Sequence, residues 1–206
     1  PEVTRKLRGG DEKGAQATLT QGMEVALLFV LPATAAMLVI PVPIMHALFV
    51  DGEFTFEAAK EAGQVLAAFS LGTPTYVLAK VLQPAYFARE DTKTPMRYTI
   101  VSAMVNIILA YPAFLWLGPT GCALATSVAG WVNILLLWFG LRKASFLKVT
   151  GQFVGRVSRI LLASALMGFF VWCLSKYCEP WILSDKTIFI RVGVLGGLVL
   201  AGIVIY

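Results

Sequence analysis

Six apolar segments, each long enough to cross a bilayer, constrain this chain more than any other feature of its sequence. They lie at roughly 23–49, 61–87, 95–116, 121–141, 157–177 and 188–206, and about 20 predominantly apolar residues suffice for a transmembrane helix. The chain is 58% hydrophobic and 14% charged, with a mean hydropathy of +0.76, whereas soluble domains carry about 25% charged residues. No segment alternates apolar and polar residues for long, which argues against a transmembrane barrel. We therefore predict an all-α integral membrane protein with six transmembrane helices.

The basic residues are distributed unevenly among the loops between these segments. Twelve lie on one predicted side of the membrane: Arg5, Lys6, Arg8, Lys13, Arg89, Lys93, Arg97, Arg142, Lys143, Lys148, Arg156 and Arg159. Four lie on the other side, namely Lys60, Lys176, Lys186 and Arg191, and Lys80 remains within a span. Because cytoplasmic loops are enriched in lysine and arginine, we predict that the side with twelve is cytoplasmic and that both ends of the chain lie there.

The ends of the chain suggest that it continues in both directions. Pro1 is not an initiator methionine, and residues 1–20 are polar without the order of a signal peptide. The sixth apolar segment still continues at Tyr206. We interpret residues 1–20 as a cytoplasmic loop of a longer protein, followed by four helices over 21–145 and two further helices over 146–206.

Residues 80–97, KVLQPAYFAREDTKTPMR, join the second apolar segment to the third. Lys80 is the one lysine well inside an apolar segment, where an ammonium group at the bilayer centre would cost about 2.5–3.5 kcal/mol. One interpretation is that its side chain extends to the headgroups. The other is that it faces a water-filled cavity and meets an anionic group such as a pyrophosphate.

The charged loop that follows has two interpretations as well. Arg89 and Lys93 alternate with Glu90 and Asp91, which predicts a turn closed by salt bridges, and Arg97 follows in the next helix. Such a turn can also act as a gate that holds the cytoplasmic ends of two helices together in one state of a transport cycle. Within the loop, Thr94 before Pro95 predicts a helix that starts with threonine as its N-cap.

Polar and small residues inside the third and fourth segments suggest close packing or a cation site. Small residues recur every fourth position after Gly121, a pattern that lets helix backbones approach closely. Asn106 and Thr126 either hydrogen-bond across this contact or supply oxygens to a small hard cation. The prolines of the first two segments leave a similar choice between bent packing helices and the moving parts of a transporter; they are Pro32, Pro41, Pro43, Pro74 and Pro84.

No catalytic motif is present, so we predict that the chain is not an enzyme. Phosphate-binding glycine loops, zinc-protease motifs and nucleophile elbows are all missing from the sequence. His46 has no acid or nucleophile at helical spacing and is interpreted as an interfacial residue. Three cysteines without metal spacing indicate neither a disulfide framework nor a zinc site. The net charge of +5 reflects membrane topology, and we predict no cofactor, no metal site and no nucleic-acid partner.

The segment LAKVLQPAYFAREDTKTP closely resembles the cytoplasmic motif of the MurJ/MviN family of bacterial lipid II flippases. The similarity continues through LFVDGEFT after the first segment, the GPTGCALATS turn and the LRK end of the fourth segment. Family members have about fourteen transmembrane helices in two lobes, and this chain resembles the last six. The resemblance implies that the 21–145 helices belong to the C-terminal lobe, and that the 157–177 and 188–206 helices line a groove for a lipid tail.

The resemblance also implies a function and a set of partners. The expected activity is alternating-access transport of the undecaprenyl-pyrophosphate-linked peptidoglycan precursor, lipid II, from the cytoplasmic to the periplasmic leaflet of the bacterial inner membrane. Expected partners are lipid II, membrane lipid and a missing N-terminal lobe. Lys80, Arg89, Asp91, Lys93 and Arg97 are candidates for the substrate path or cytoplasmic gate.

The energy source and the exact substrate remain open at this stage. A sodium ion or the membrane potential is the candidate driving force. Asn106 and Thr126 match a sodium site found in some relatives, but Ala110 stands where those relatives have an aspartate. Alternatives to lipid II transport are a flippase for another polyprenyl-linked oligosaccharide, a drug exporter of the same superfamily, or a membrane module without transport of its own.

Overall fold

The structure, a computed structural model, is all-helical in the part of the chain that it describes. The described residues are 6, 11–49, 55–144, 146, 151–182 (side chains to 177), 193, 196–198, 202 and 206. Seven helices follow in chain order: α1 Glu12–Val39, α2 Pro41–Phe49, α3 Phe56–Ser70, α4 Thr73–Phe87, α5 Lys93–Leu117, α6 Pro119–Lys143 and α7 Gly151–Ile182. This confirms the predicted all-α class.

Within the described residues, five stretches of helix are long and apolar enough to cross a membrane. They are Glu12–Val39, Phe56–Phe87, Lys93–Leu117, Pro119–Lys143 and Gly151–Tyr177. Each contains or overlaps one of the first five predicted segments, so those predictions are confirmed as helices of spanning length. The sixth predicted segment, 188–206, lies mostly outside the described residues.

The first span begins earlier than predicted, and the helix is interrupted between Val39 and Pro41. The side chain of Asp11 accepts a hydrogen bond from the Gly14 amide at 2.8 Å, which caps α1 at Glu12. The prediction of a loop through residue 20 was therefore wrong for 12–20, because Ala15 and Leu19 on this polar stretch are fully buried. At the other end α1 ends at Val39. The next residue, Ile40, precedes Pro41, and the residue before a proline is disfavoured in the helical conformation.

The second span is two helices joined by a tight turn against α6. A Cβ atom on Gly72 would lie 2.8 Å from the Ser127 hydroxyl oxygen and 3.0 Å from its Cα, so only glycine allows this approach. The Ser127 hydroxyl in turn donates to the Ala68 carbonyl at 2.7 Å. Pro74 lies in the first turn of α4, where no amide donor is needed. The break is thus a packed joint between α3 and α4.

Helices α5 and α6 form an antiparallel hairpin with closely spaced backbones. The turn is made at Gly118, which has a φ of 59°, a conformation that glycine adopts without strain. The Ser102 hydroxyl donates to the Ala129 carbonyl at 2.6 Å. Added Cβ atoms on Gly121 and Gly130 would overlap the Ala113 carbonyl and the Thr75 hydroxyl. The prediction that small residues permit close packing is confirmed on two faces of α6.

The main core lies where the N-terminal half of α1 meets the C-terminal halves of α4 and α6. Its buried members are Ala15, Leu19, Met23, Leu82, Ala85, Tyr86, Ile134, Leu137, Leu141 and Phe146. Helix α5 packs chiefly on α6, and α7 packs along α1. Near the N-terminal end of α7, Arg156 donates to the Glu24 carboxylate at 2.8 Å.

Candidate substrate path and cytoplasmic gate

Lys80 lies on the exposed side of α4. Spacings of four, three and four residues place Tyr76, Lys80, Gln83 and Phe87 along one face of this helix, which we call the Lys80 face. Tyr76, Lys80 and Phe87 are exposed and Gln83 is half-buried. The opposite side of α4 carries buried residues, among them Leu82, which is fully enclosed. Helix α4 therefore turns one face to the core and presents a polar face outward.

The exposed face of α5 has the opposite character. Ile100, Met104, Ile107, Ile108 and Leu115 are each more than half exposed and apolar, and Tyr111 among them adds a phenol but no charge. Such a surface is suited to lipid, because apolar side chains cost nothing in hydrocarbon while polar ones do. The Lys80 face presents in turn the phenol of Tyr76, the ammonium of Lys80 and the amide of Gln83. Such a face is suited to contact with water or with protein. This contrast favours the interpretation in which Lys80 faces a cavity.

The loop after α4 is held by backbone hydrogen bonds rather than by salt bridges. Successive turns link the amides of Arg89 and Asp91 to the Tyr86 carbonyl at 3.0 and 3.1 Å, and Glu90 adopts a φ of 60°. No ion pair joins the loop's acids and bases in the part of the chain that the structure describes. The predicted salt-bridged turn was therefore wrong, because the backbone conformation closes the loop without ion pairs.

Asp91 supplies the cap that was predicted for Thr94. Helix α5 begins at Lys93, and the Thr94 amide donates to Asp91 Oδ1 at 3.0 Å. Hydrogen bonds from Thr94 hold the pKa of Asp91 below its usual value, because they favour the charged carboxylate. Thr94 is thus a residue of the first turn and not the N-cap, and Pro95 follows where an amide is not needed.

A cavity of about 340 Å³, at the loop predicted to be cytoplasmic, contains two of the five predicted substrate-path or gate residues. Its described lining comprises Tyr86, Arg89, Asp91, Thr94, Tyr98, Gly140, Lys143 and Ala144. Lys93 and Arg97 are exposed and do not belong to it. Lys80 lies about 10 Å from Phe87 along the α4 axis, toward the N-terminus of the helix. The structure thus separates the predicted set into a cavity pair, an exposed pair at the start of α5 and Lys80.

Two tyrosines form the base of this cavity. The Tyr86 hydroxyl donates to the Leu137 carbonyl at 2.7 Å in a buried environment, and the rings of Tyr86 and Tyr98 meet edge to face with centroids 6.5 Å apart. A Cβ atom on Gly140 would overlap the Tyr86 hydroxyl. Beside them, the Arg89 guanidinium lies 5.7 Å from the centre of the Phe146 ring, a cation–π distance. Arg89 is therefore held near the core.

Asn106 and Thr126 face each other across the α5–α6 contact. The Thr126 hydroxyl donates to the Cys122 carbonyl at 2.9 Å and lies 3.5 Å from Asn106 Oδ1, the long limit for a hydrogen bond. The pair supplies two side-chain oxygens, whereas hard cations such as Ca²⁺ take about six or more. No group of three or more acidic, histidine or cysteine side chains suited to a metal occurs in the described residues. This geometry fits a packing contact better than a complete cation site.

Sequence reasoning missed the ion pair between Glu24 and Arg156. Its partners are 132 residues apart, so no local pattern could have paired them. A signal for one partner was present, because Glu24 is the one acid inside the first predicted segment. Its side chain is 15% exposed, against 61% for Arg156. The pair joins the first helix of the described fold to the last.

The chain is similar to known proteins over nearly its whole length. The family described as "Lipid II flippase MurJ" matches residues 1–191. A "Probable lipid II flippase MurJ" from Rhizobium tropici is 37% identical over all 206 residues, and one from Rhizobium meliloti (strain 1021) is also 37% identical over 206 residues. These matches cover 39% and 38% of the two relatives.

A solved structure supports the same assignment. The chain superimposes with a TM-score of 0.76 on "Lipid II flippase MurJ, inward closed conformation", at 25% identity, covering 98% of this chain and 40% of that one. The chain thus spans about two fifths of the length of the relatives that it matches. By sequence and by fold, this chain belongs to the lipid II flippase MurJ family.

Proposed function

We propose that this chain forms part of a transporter that moves lipid II from the cytoplasmic to the periplasmic leaflet by alternating access. Membership of the MurJ family and five helices of spanning length make it a multi-pass protein of the bacterial inner membrane. Both ends of the chain are proposed to be cytoplasmic, on the positive-inside argument. Transport of this kind makes and breaks no covalent bond, so the residues act by binding and gating.

The main support for this proposal is the exposure of the Lys80 face. In the described residues, this face is largely exposed although it belongs to the second of the spans, Phe56–Phe87. A row of Tyr76, Lys80 and Gln83 in contact with hydrocarbon would be costly. The relatives are longer than this chain, and we propose that their additional helices form the other wall of a water-filled cavity in front of this face.

Lys80 would act in that cavity as the counter-charge for the pyrophosphate of the substrate. An ammonium group donates up to three hydrogen bonds and binds phosphate oxygens as a point charge. Its cost in the membrane is reduced when water or an anion surrounds it. Tyr76 and Gln83, one turn away on either side, would add neutral hydrogen-bond donors. The substrate's charge would thus replace water in a polar cavity rather than enter hydrocarbon.

The loop at the cytoplasmic end of α4 would serve as the gate. Arg89 and Asp91 line the cytoplasmic cavity, and the loop joins α4 to α5 directly. A rigid loop transmits displacement of one helix to the other. Lys93 and Arg97, exposed at the start of α5, would then contact substrate or the other lobe only in one state of the cycle.

A test of this function compares Lys80 variants in cells that depend on the protein. Lys80→Ala should abolish complementation and lower the amount of lipid II reached by an enzyme confined to the periplasmic side, whereas Lys80→Arg should retain part of the activity because it keeps the charge. Lys13→Ala, which removes an exposed lysine at the start of α1, is the matched control and should behave as wild type. Immunoblots of the membrane fraction establish that all variants accumulate equally.

Water access provides the second readout. In a cysteine-free background, Lys80→Cys should react with a membrane-impermeant thiol reagent, whereas Ile107→Cys on the apolar face of α5 should not. Full complementation by Lys80→Ala together with an unreactive Lys80→Cys would contradict the proposal.

A further inference from the structure

The second span contains a short stretch of tighter helix between α3 and α4. The Gly72 amide donates to the Phe69 carbonyl at 2.9 Å, and the Thr75 amide donates to the Gly72 carbonyl at 3.0 Å. Both bonds reach back three residues, as in a 3₁₀-helix, instead of four. The backbone agrees, since Leu71 has a φ of −59° and a ψ of −28°. In this described segment, the Ala68 and Leu71 carbonyls therefore lack the amides that a regular α-helix would supply.

Side chains of α6 bind these two carbonyls instead. The Ser127 hydroxyl donates to the Ala68 carbonyl at 2.7 Å, and the Trp131 indole nitrogen donates to the Leu71 carbonyl at 3.0 Å. Ser127 and Trp131 are four residues apart, so they lie on the same face of α6. An unpaired carbonyl inside a membrane would be costly. The two donors thus stabilise the tighter form of residues 68–75, which we call the α3–α4 joint.

Pro74 prevents the α3–α4 joint from becoming a fully regular helix. Proline has no amide, so the Ser70 carbonyl has no amide partner four residues ahead in either form. The Ser70 hydroxyl is already used, because it donates to the Ala67 carbonyl at 2.7 Å. One intrahelical hydrogen bond is thus missing whichever form the joint adopts, which lowers the cost of changing between the two forms.

The two forms of the joint differ in geometry by an amount that helix dimensions define. A 3₁₀-helix turns by about 120° per residue and an α-helix by about 100°. When Leu71 and Gly72 change from one form to the other, α3 rotates by about 40° around its axis relative to α4. At the outer radius of a helix, about 5–6 Å, this rotation moves a side chain by about 4 Å.

The surroundings of the joint give α3 space to move and hold α4 in place. A cavity of about 460 Å³ lies along α3, between Met45 of α2 and Pro119 at the start of α6. Helix α4, in contrast, contributes to the main core, and Tyr86 near its end donates to the Leu137 carbonyl at 2.7 Å in a buried environment. Its described lining on α3 shows that the cavity follows this helix for most of its length: Ala58, Glu61, Ala62, Val65, Leu66 and Phe69.

We propose that the α3–α4 joint is a two-state pivot on which α3 moves relative to α4 and α6. In the first form, which the structure shows, Ser127 and Trp131 bind the freed carbonyls and stabilise the 3₁₀ hydrogen bonds. In the second form, the amides of Gly72 and Thr75 bond to the carbonyls four residues back, and the two donors of α6 release them. Helix α6 thus selects the form that the second span adopts.

Helix α2 moves together with α3. A Cβ atom on Gly63 would lie 3.0 Å from the backbone nitrogen of Val42, so the backbones of α2 and α3 are in close contact. The pivot therefore moves a pair of helices at the end of the span that is predicted to be periplasmic. Its use in a transport cycle rests on the proposed function, whereas the movement itself does not and is measured without substrate.

Distances between spin labels on the full-length protein test the pivot. Labels on cysteines at Glu57 in α3 and Leu117 at the end of α5, both exposed, report on the movement of α3. Labels at Phe87 in α4 and Phe139 in α6, also exposed, report on the part that stays fixed. Pulsed electron paramagnetic resonance on an otherwise cysteine-free protein in nanodiscs gives the distance distributions. The first pair should show two populations about 4 Å apart, and the second pair one.

Two variants of α6 should change the ratio of these populations. Ser127→Ala and Trp131→Phe should each raise the second population relative to the first about threefold, the contribution of an average hydrogen bond between membrane helices. The double variant should raise it about ninefold if the two bonds are independent. Ser102→Ala is the matched control for the hydroxyl, because it removes a bond to a carbonyl at 2.6 Å across the α5–α6 contact. Trp138→Phe removes an indole that packs on Phe153. Neither control should change the ratio.

Pro74→Ala tests the joint without changing α6. Alanine supplies an amide for the Ser70 carbonyl, so this variant should also favour the second form. Pro95→Ala, at a buried proline in the first turn of α5, is its control and should leave the ratio unchanged.

Unchanged distances between the α3 and α5 labels in Ser127→Ala, Trp131→Phe and Pro74→Ala would overturn the proposal. An equal change in both label pairs would also overturn it, because the whole bundle would then have loosened. Lys80→Ala should leave both label pairs unchanged. Failure of the pivot is therefore read from distances, and failure of the proposed function is read from complementation by Lys80→Ala.

Discussion

Replacing Gly140 by alanine tests the packing of Tyr86 and Tyr98 next to the loop between α4 and α5. A Cβ atom at this position would overlap the Tyr86 hydroxyl and lie 2.9 Å from the Tyr98 hydroxyl. Tyr86 cannot retreat freely, because its hydroxyl donates to the Leu137 carbonyl at 2.7 Å and its ring belongs to the main core. Alanine at 140 must therefore break this hydrogen bond or displace α4 from α6.

The expected loss follows from three contributions. Overpacking costs about 1–3 kcal/mol, and losing the Tyr86 hydrogen bond costs about 0.5–1.5 kcal/mol. Alanine returns about 1 kcal/mol through its better helix propensity. Because the overpacking and hydrogen-bond contributions overlap, we expect Gly140→Ala to lower the free energy of unfolding by about 1–3 kcal/mol. Gly155→Ala, at a helical glycine whose Cβ would meet nothing within 4 Å, should instead raise it by up to about 1 kcal/mol.

A double-mutant cycle with Tyr86→Phe isolates the contact. The free energy of unfolding is measured in mixed micelles by SDS titration, with helicity as the signal. Removing the Tyr86 hydroxyl should make Gly140→Ala about 1 kcal/mol less costly, and the rescue is partial because Tyr98 stays close. If the two substitutions were additive within about 0.5 kcal/mol, the claimed contact would not exist and the reasoning would be refuted.

Three further predictions concern the loop, the ion pair and the polar pair. Asp91→Ala should lower amide-exchange protection in the first turn of α5. Because the hydrogen bonds that Asp91 accepts lower its pKa, the difference in protection between wild type and variant should be constant above about pH 5 and disappear only as the pH falls through that lowered pKa. A change in this difference between about pH 5 and 8 would contradict the prediction. Glu24→Arg and Arg156→Glu should each lower the melting temperature, and their combination should recover it; equal losses in single and double variants would exclude the pair. If sodium binds at Asn106 and Thr126, alanine at both should remove the sodium dependence of transport by the full-length protein; unchanged transport across a sodium titration would eliminate that site.

The spans could be predicted from sequence because the bilayer sets their length and composition. The errors arose where packing inside the protein, and not lipid, decides the structure. Residues 12–20 are too polar to resemble a span, yet Ala15 and Leu19 on one side of them enter the main core. Likewise, the second segment was predicted as one span although SLGTPT interrupts its apolar residues at 70–75. The tight turn between its two helices depends on contact with Ser127, 55 residues later. A local sequence pattern does not reveal contacts between residues so far apart in the chain.

The sequence singles out the candidate residues but does not predict how they are arranged. Lys80 could be singled out because a lysine inside an apolar segment is unusual, but only the structure places it on a polar face with Tyr76 and Gln83. In the loop, the alternation of charges suggested salt bridges, whereas Asp91 is used to cap α5. The same carboxylate can cap a helix or form an ion pair. When a helix start and a basic residue are both within one turn of it, sequence alone does not decide which partner it takes.

Helix α4 joins the three features on which the proposed mechanism depends. Lys80 is on its exposed face, Tyr86 on its buried face is bonded to α6, and Arg89 follows its last turn. A substitution can therefore act on transport through two distinguishable routes. Lys80→Ala removes a charge from the exposed face without touching the core, so it should impair transport with little change in stability. Gly140→Ala disturbs the buried face, so any loss of transport should follow the loss of stability and should be relieved by Tyr86→Phe. If Tyr86→Phe restored the stability of the Gly140 variant but not its transport, the joint between α4 and α6 would have a role in the cycle beyond holding the helix in place.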